Sequence, residues 1–156
     1  MSLVEKQWLC LRSVLRSLNE TININEIIGY RGTPSRQQMN IKIYFRSGME
    51  VFLPLHSLEN KDKVYNDILG FLDNRFLAND SLWMRFDDNR FSLCEIESFR
   101  IIDENFSVIK YDYRIIFSLK NKNNFTFSFN DQQEIDNFLD ELRGKLLLSD
   151  DTLMRF

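Results

Sequence analysis

SLWMRFDDNRFSL, residues 81–93, decides how the chain is read, because its opening half returns as TLMRF at residues 152–156. An ungapped shift of 70 lays FLANDSLWMRF, from Phe76, over LLLSDDTLMRF, from Leu146. The overlay matches Leu77 with Leu147, Asp80 with Asp150, and Met84, Arg85 and Phe86 with Met154, Arg155 and Phe156. Inside the stretch, Trp83 to Phe86 and the run from Phe91 to Phe99 flank the turn formers Asp88 and Asn89, which predicts a hairpin. The repeated half predicts an internal repeat.

Downstream, Tyr113, Ile115 and Phe117 alternate with polar residues, as do Phe125, Phe127 and Phe129, and Asn121 to Asn124 supply the turn between two strands. Asp131 stands three residues before Glu134, at the spacing of a capping box, and opens a helix whose apolar stripe is Ile135, Phe138, Leu139, Leu142 and Leu146. Upstream, a first copy of this arrangement is visible. Ile41, Ile43 and Phe45 face one way, Val51, Leu53 and Leu55 follow suit, and Ser47-Gly48 provides the positive φ of a tight turn. Pro54 donates no ladder hydrogen bond, so its strand lies at a sheet edge or Pro54 sits where no ladder bond is needed. A helix from about Ser57 to Leu77 then carries the stripe Val64, Ile68, Leu72 and Phe76. Before the hairpin, TININEIIGYRG alternates early, with Ile22 and Ile24 on one side, and GTPSRQQ (residues 32–38) reads as a polar loop.

Laying residues 22–86 over 91–156 brings Glu26, Tyr30 and Arg31 onto Glu95, Phe99 and Arg100. The expected fold class is therefore α+β. It comprises two pseudo-repeated units of antiparallel strands plus one helix within a single domain, residues 1–156. The units run over about 20–80, completed by 152–156, and 81–150. The returning strand 152–156 is expected to close onto the first unit beside Ile22 to Tyr30, covering an open edge. Nothing before Ile22 matches LWMRF. The residues Val4, Trp8, Leu11, Leu15 and Leu18 fall at helical spacing, which predicts an extra N-terminal amphipathic helix over residues 4–18.

Composition bounds the function. With 156 residues the chain buries about two-thirds of its unfolded surface. Fourteen Phe against five Gly and two Pro indicate a packed aromatic core rather than disorder. A net charge of −3 provides no field to gather nucleic acid, and no basic patch interleaved with aromatics is present. No apolar run is long enough to span a bilayer, and Glu5, Arg12 and Arg16 interrupt any signal core, so a cytoplasmic location is expected. Cys10 and Cys94 are too far apart and too few for a zinc or disulfide framework, and both read as buried thiols.

Chemical motifs are sparse. His56 is the single histidine, and its place between a strand and a helix start favours an exposed or capping role over a general base. Asp87-Asp88-Asn89 lacks the spaced ligands of a calcium loop and reads as a turn. Gly29, Gly32 and Gly48 do not form a phosphate loop. No cofactor and no metal site is expected, and an enzyme ranks third among the readings. The first is a non-enzymatic protein-interaction or regulatory domain acting through a protein partner or self-association. The second is a binder of a small apolar ligand or lipid between sheet and helices. Repetition sorts the residues: groups present in both halves serve the fold, and function belongs where the halves differ. The candidate partner-binding residues are accordingly Trp8 on the N-terminal segment and Arg36 and Gln37 in the loop.

Overall fold

The computed structural model describes residues 4–5, 7–13, 15, 17–107 and 110–146. It is α+β, with three antiparallel sheets and two α-helices. The chain divides into two compact units, 1–91 and 92–156.

The first unit begins with three short strands, β1 (Val4–Glu5), β2 (Trp8–Cys10) and β3 (Thr21–Asn23), paired in that order. The expected helix over residues 4–18 is not formed: β2 is followed only by a 3-10 turn, Leu11–Ser13. The physical reason lies in Leu9. It falls off the helical stripe, yet it is fully buried opposite Ile22, while Trp8 beside it is exposed. That alternation is the period of a strand, and in so short a window both periods fit.

A second 3-10 turn, Ile24–Glu26, leads from β3 into β4 (Ile27–Thr33), and Asn23 caps it by accepting a hydrogen bond from the Asn25 N–H (3.1 Å). β5 (Asn40–Phe45) and β6 (Glu50–Pro54) form the anticipated hairpin, with Gly48 at φ 94° in its turn. Helix α1 spans Lys61–Leu72. Its start lies beyond Ser57, at Asn60, and it continues to Leu77 as a wider turn closed by the Ala78 N–H on the Asp73 carbonyl (3.0 Å). The chain then returns as β7 (Trp83–Phe86) and β8 (Asn89–Ser92).

The sheet order is β6-β5-β4-β8-β7. The hairpin of the opening stretch therefore extends the first unit's sheet, and β8 pairs with β4 at Gly29–Arg31. Closure by residues 152–156 lies outside the described residues. The strand beside β4 is β8. Pro54 sits on β6 at the sheet edge, as its missing donor requires. Tyr30, Ile41, Ile43, Ile68 and Leu72 are fully buried in the core beneath this sheet.

The second unit opens with a 3-10 turn, Leu93–Glu95, and continues through β9 (Ile96–Ser107), β10 (Lys110–Leu119), β11 (Asn124–Phe129) and α2 (Gln132–Leu146). Its sheet order is β11-β10-β9. The expected run from Phe91 to Phe99 is not one strand, because the 3-10 turn Leu93–Glu95 divides it between β8 and β9. The β10–β11 hairpin and the cap hold: Asp131 Oδ1 accepts from the Glu134 N–H at 2.9 Å. The Glu134 carboxylate takes its bond from the Asn130 amide (3.0 Å). Phe138 on α2 meets Phe127 and Phe129 at centroid distances of 6.0 and 5.3 Å, in edge-on and tilted geometry.

Candidate functional site

Three large apolar side chains stand out of the described surface: Trp8 at 42% exposure, Met49 at 72% and Phe52 at 54%. Two of them, Met49 and Phe52, belong to the β5–β6 hairpin. Inward-pointing Leu53 and half-buried Val51 fix the direction of Phe52, because successive strand residues face opposite ways. Phe52 projects from the outer face opposite Lys42, and Met49 lies in the turn that begins the strand. Tyr44 and Glu50 pair beside them. Burial, then the nearby Glu50 carboxylate, pushes the Tyr44 phenol upward. The other side of β6 bears no strand among the described residues. The candidate site is thus an edge strand with an exposed aromatic residue at its centre.

Arg36 and Gln37 are both exposed, in the turn closed by the Gln38 N–H on the Ser35 carbonyl (3.0 Å). Lys61 Nζ donates to the Arg36 carbonyl and to the His56 carbonyl, each at 3.4 Å. The Leu55 N–H reaches the Met39 carbonyl (2.8 Å), which brings the loop to the Pro54 end of β6. Arg36 and Gln37 accordingly rim the edge strand. Trp8 lies on a different sheet, across from Asn23. His56 is exposed and acts here through its backbone.

Sequence reasoning missed Met49 and Phe52. The signal was present, since the hairpin alternation that turns Val51 and Leu53 inward turns Phe52 outward.

Two further features need an account. In the first unit, Arg90 is buried at 4% exposure with its Nε 3.2 Å from the Asp73 carboxylate, which also accepts from the Tyr30 hydroxyl at 2.6 Å. Burial, reinforced by that carboxylate, drives the Tyr30 pKa strongly upward. The Arg90 guanidinium also donates to the Asp88 carbonyl (2.7 Å), so the network ties β8 and the hairpin turn to the end of α1. The Asp73 carboxylate thus serves both the Tyr30 hydroxyl and the Arg90 guanidinium, whose Nε lies close to it without a hydrogen bond.

In the second unit, a groove of about 700 Å³ runs beside β9, with apolar walls from Leu93, Ile96, Phe99, Ile116 and Leu146. Ser98, Ser118, Asn124 and the charged Glu97 and Arg100 make up the rest of its lining.

Among the described residues no cluster of His, Cys, Asp and Glu could hold a metal ion, and no helix is long and apolar enough to cross a membrane. Cys10 and Cys94 are free. Cys94 is exposed and Cys10 half-buried, against the expectation of two buried thiols. Cys94 turns out because it occupies the middle of a 3-10 turn whose inward positions are Leu93 and Glu95. Comparison with protein-family models, with curated proteins and with solved structures finds no match.

Proposed function

We propose that the chain is a non-enzymatic, cytoplasmic protein-interaction domain built from two pseudo-repeated units, and that it receives an extended segment of a protein partner along β6. The exposure of Phe52 at the centre of an edge strand carries this reading. An open edge presents unpaired backbone donors and acceptors to another strand, and an aromatic residue beside it supplies the anchoring area.

The repeat supports the choice of site. The Glu26 carbonyl accepts from the Arg46 N–H at 2.9 Å, and the Glu95 carbonyl accepts from the Lys120 N–H at 3.0 Å. Phe45 receives Gly48 and donates to Met49 in one turn, just as Leu119 receives Lys122 and donates to Asn123 in the other. A shift of 70 carries the buried Tyr65, Ile68, Leu69 and Leu72 of α1 onto the buried Ile135, Phe138, Leu139 and Leu142 of α2. In this frame, set by the turns, Phe52 matches Thr126. One unit exposes a phenyl ring where the other exposes a hydroxyl, and such a difference serves something other than the shared fold.

The test replaces Phe52 by its counterpart. Phe52→Thr is compatible with a strand and leaves the core untouched, so thermal stability should stay within about 0.5 kcal/mol of the unsubstituted chain. Capture of a stoichiometric partner from the native host should fall at least tenfold. Undiminished capture by a folded Phe52→Thr variant would refute the assignment. The groove in the second unit favours a second reading, a small apolar ligand held against Phe99 and Ile116, which native mass spectrometry of the purified chain would detect.

A further inference from the structure

The groove beside β9 has a lining that is apolar along one part and polar along another, and strand register explains the polar part. Ser98 stands directly opposite Ser118, which stands opposite Asn124, and two residues along β9 Arg100 stands opposite Ile116. Directly opposed residues share a face of a sheet, as do residues two apart, so these five share one face of the second unit's sheet. The other face carries Phe117, whose ring centroid lies 6.2 Å from that of Phe138 on α2. The polar groups of the groove therefore belong to the face turned away from α2. Two charged residues are among its described lining, and they differ. Glu97 has Lys122 Nζ 3.6 Å from its carboxylate, whereas the exposed Arg100 has neither an ion pair nor a hydrogen bond among the described residues.

We propose that this groove binds a small amphipathic acid, with Arg100 taking its carboxylate and Ile116, Ile96 and Leu93 taking its apolar body. A guanidinium presents a planar fork that meets one carboxylate with two parallel hydrogen bonds. The hydroxyls of Ser98 and Ser118 and the Asn124 amide add neutral donors on the same face. One unpaired cation among neutral polar groups suits a monoanion, whereas a phosphate dianion calls for more positive charge. A purely hydrocarbon occupant uses none of these donors. The space of about 700 Å³ lies within the range of about 300–1,000 Å³ typical of small-molecule sites. Burial of the apolar body supplies most of the attraction, and Arg100 fixes the orientation and selects the charge. The inference rests on the second reading above, in which the groove holds a small ligand, and is independent of the partner site at β6.

The test titrates the full chain with decanoate below its micellar range, and in parallel with decan-1-ol, which has the same chain without the charge, following amide and Ile methyl resonances. Decanoate should shift the signals of residues 96–100 and 116–118 and bind about tenfold more tightly than decan-1-ol, the margin of a charge-assisted hydrogen bond. Arg100→Gln changes an exposed residue and should keep the fold, lower decanoate affinity about tenfold and leave decan-1-ol affinity unchanged. Equal binding of the two amphiphiles, or decanoate affinity unchanged in folded Arg100→Gln, would overturn the acid assignment while leaving the groove a site for apolar ligands. Absence of shifts at residues 96–100 and 116–118 with either amphiphile would overturn both. Neither result touches the Phe52→Thr experiment.

Discussion

Arg90 brings a permanent charge into the first unit, and its neighbours determine what that costs. Its side chain is 4% exposed, whereas that of Asp73 is 30% exposed, so the two members of the pair are not equivalent. Removing the carboxylate strands a buried cation, while removing the cation leaves a carboxylate that water can reach. Asp73→Ala should therefore destabilise the protein by about 3 kcal/mol and Arg90→Met by clearly less, as chemical denaturation of the two variants will show. Tyr30 shares this carboxylate and adds a pH dependence. Its folded-state pKa is raised above the ordinary value of 10.0, so the unfolded chain releases the phenolic proton first. The associated stability is complete below pH 10 and is lost as pH rises above it. Thermal melts above that pH should show the loss, and Tyr30→Phe should flatten it. None of this was legible in the sequence, where Asp73, Arg90 and Tyr30 are distant and ordinary. Only the pairing of β8 with β4 brings Arg90 opposite Tyr30.

Elements were legible where one period ran long enough to exclude the other. The stripes of α1 and α2 and the β5–β6 and β10–β11 hairpins follow from their alternation and turn residues. The N-terminal segment misleads because five apolar residues at helical spacing also permit the strand that Leu9 requires. Gly32 misleads differently: read as a loop breaker, it is a buried residue of β4 over which α1 passes. A Cβ added there would meet the Tyr65 hydroxyl at 2.5 Å and Leu69 Cδ2 at 2.9 Å. Glycine is needed for that close approach. Gly32→Ala should cost about 1–3 kcal/mol, measured by denaturation, because the helix must lift or Tyr65 must leave its place. In the second unit Ile101 and Ile135 are both buried. There Phe138 is the central ring, and Phe138→Ala should cost about 3–5 kcal/mol, with loss of amide protection centred on β10, β11 and α2.

At the scale of the whole molecule, what holds each unit together separates from what is left exposed. The turn bonds at Glu26 and Glu95 and the buried faces of α1 and α2 account for packing within each unit. Phe52 and Met49 are exposed on the edge hairpin, and Arg36 and Gln37 lie in the loop at its Pro54 end. The sequence led to the loop but not to the strand it borders, because exposure depends on which strand the sheet leaves at its margin. The most direct measurement is amide hydrogen exchange of the full chain with and without its captured partner. The account predicts that residues 49–55 gain protection on binding while residues 123–129 do not. Protection appearing at residues 7–10 or 96–102, with 49–55 unchanged, would contradict it.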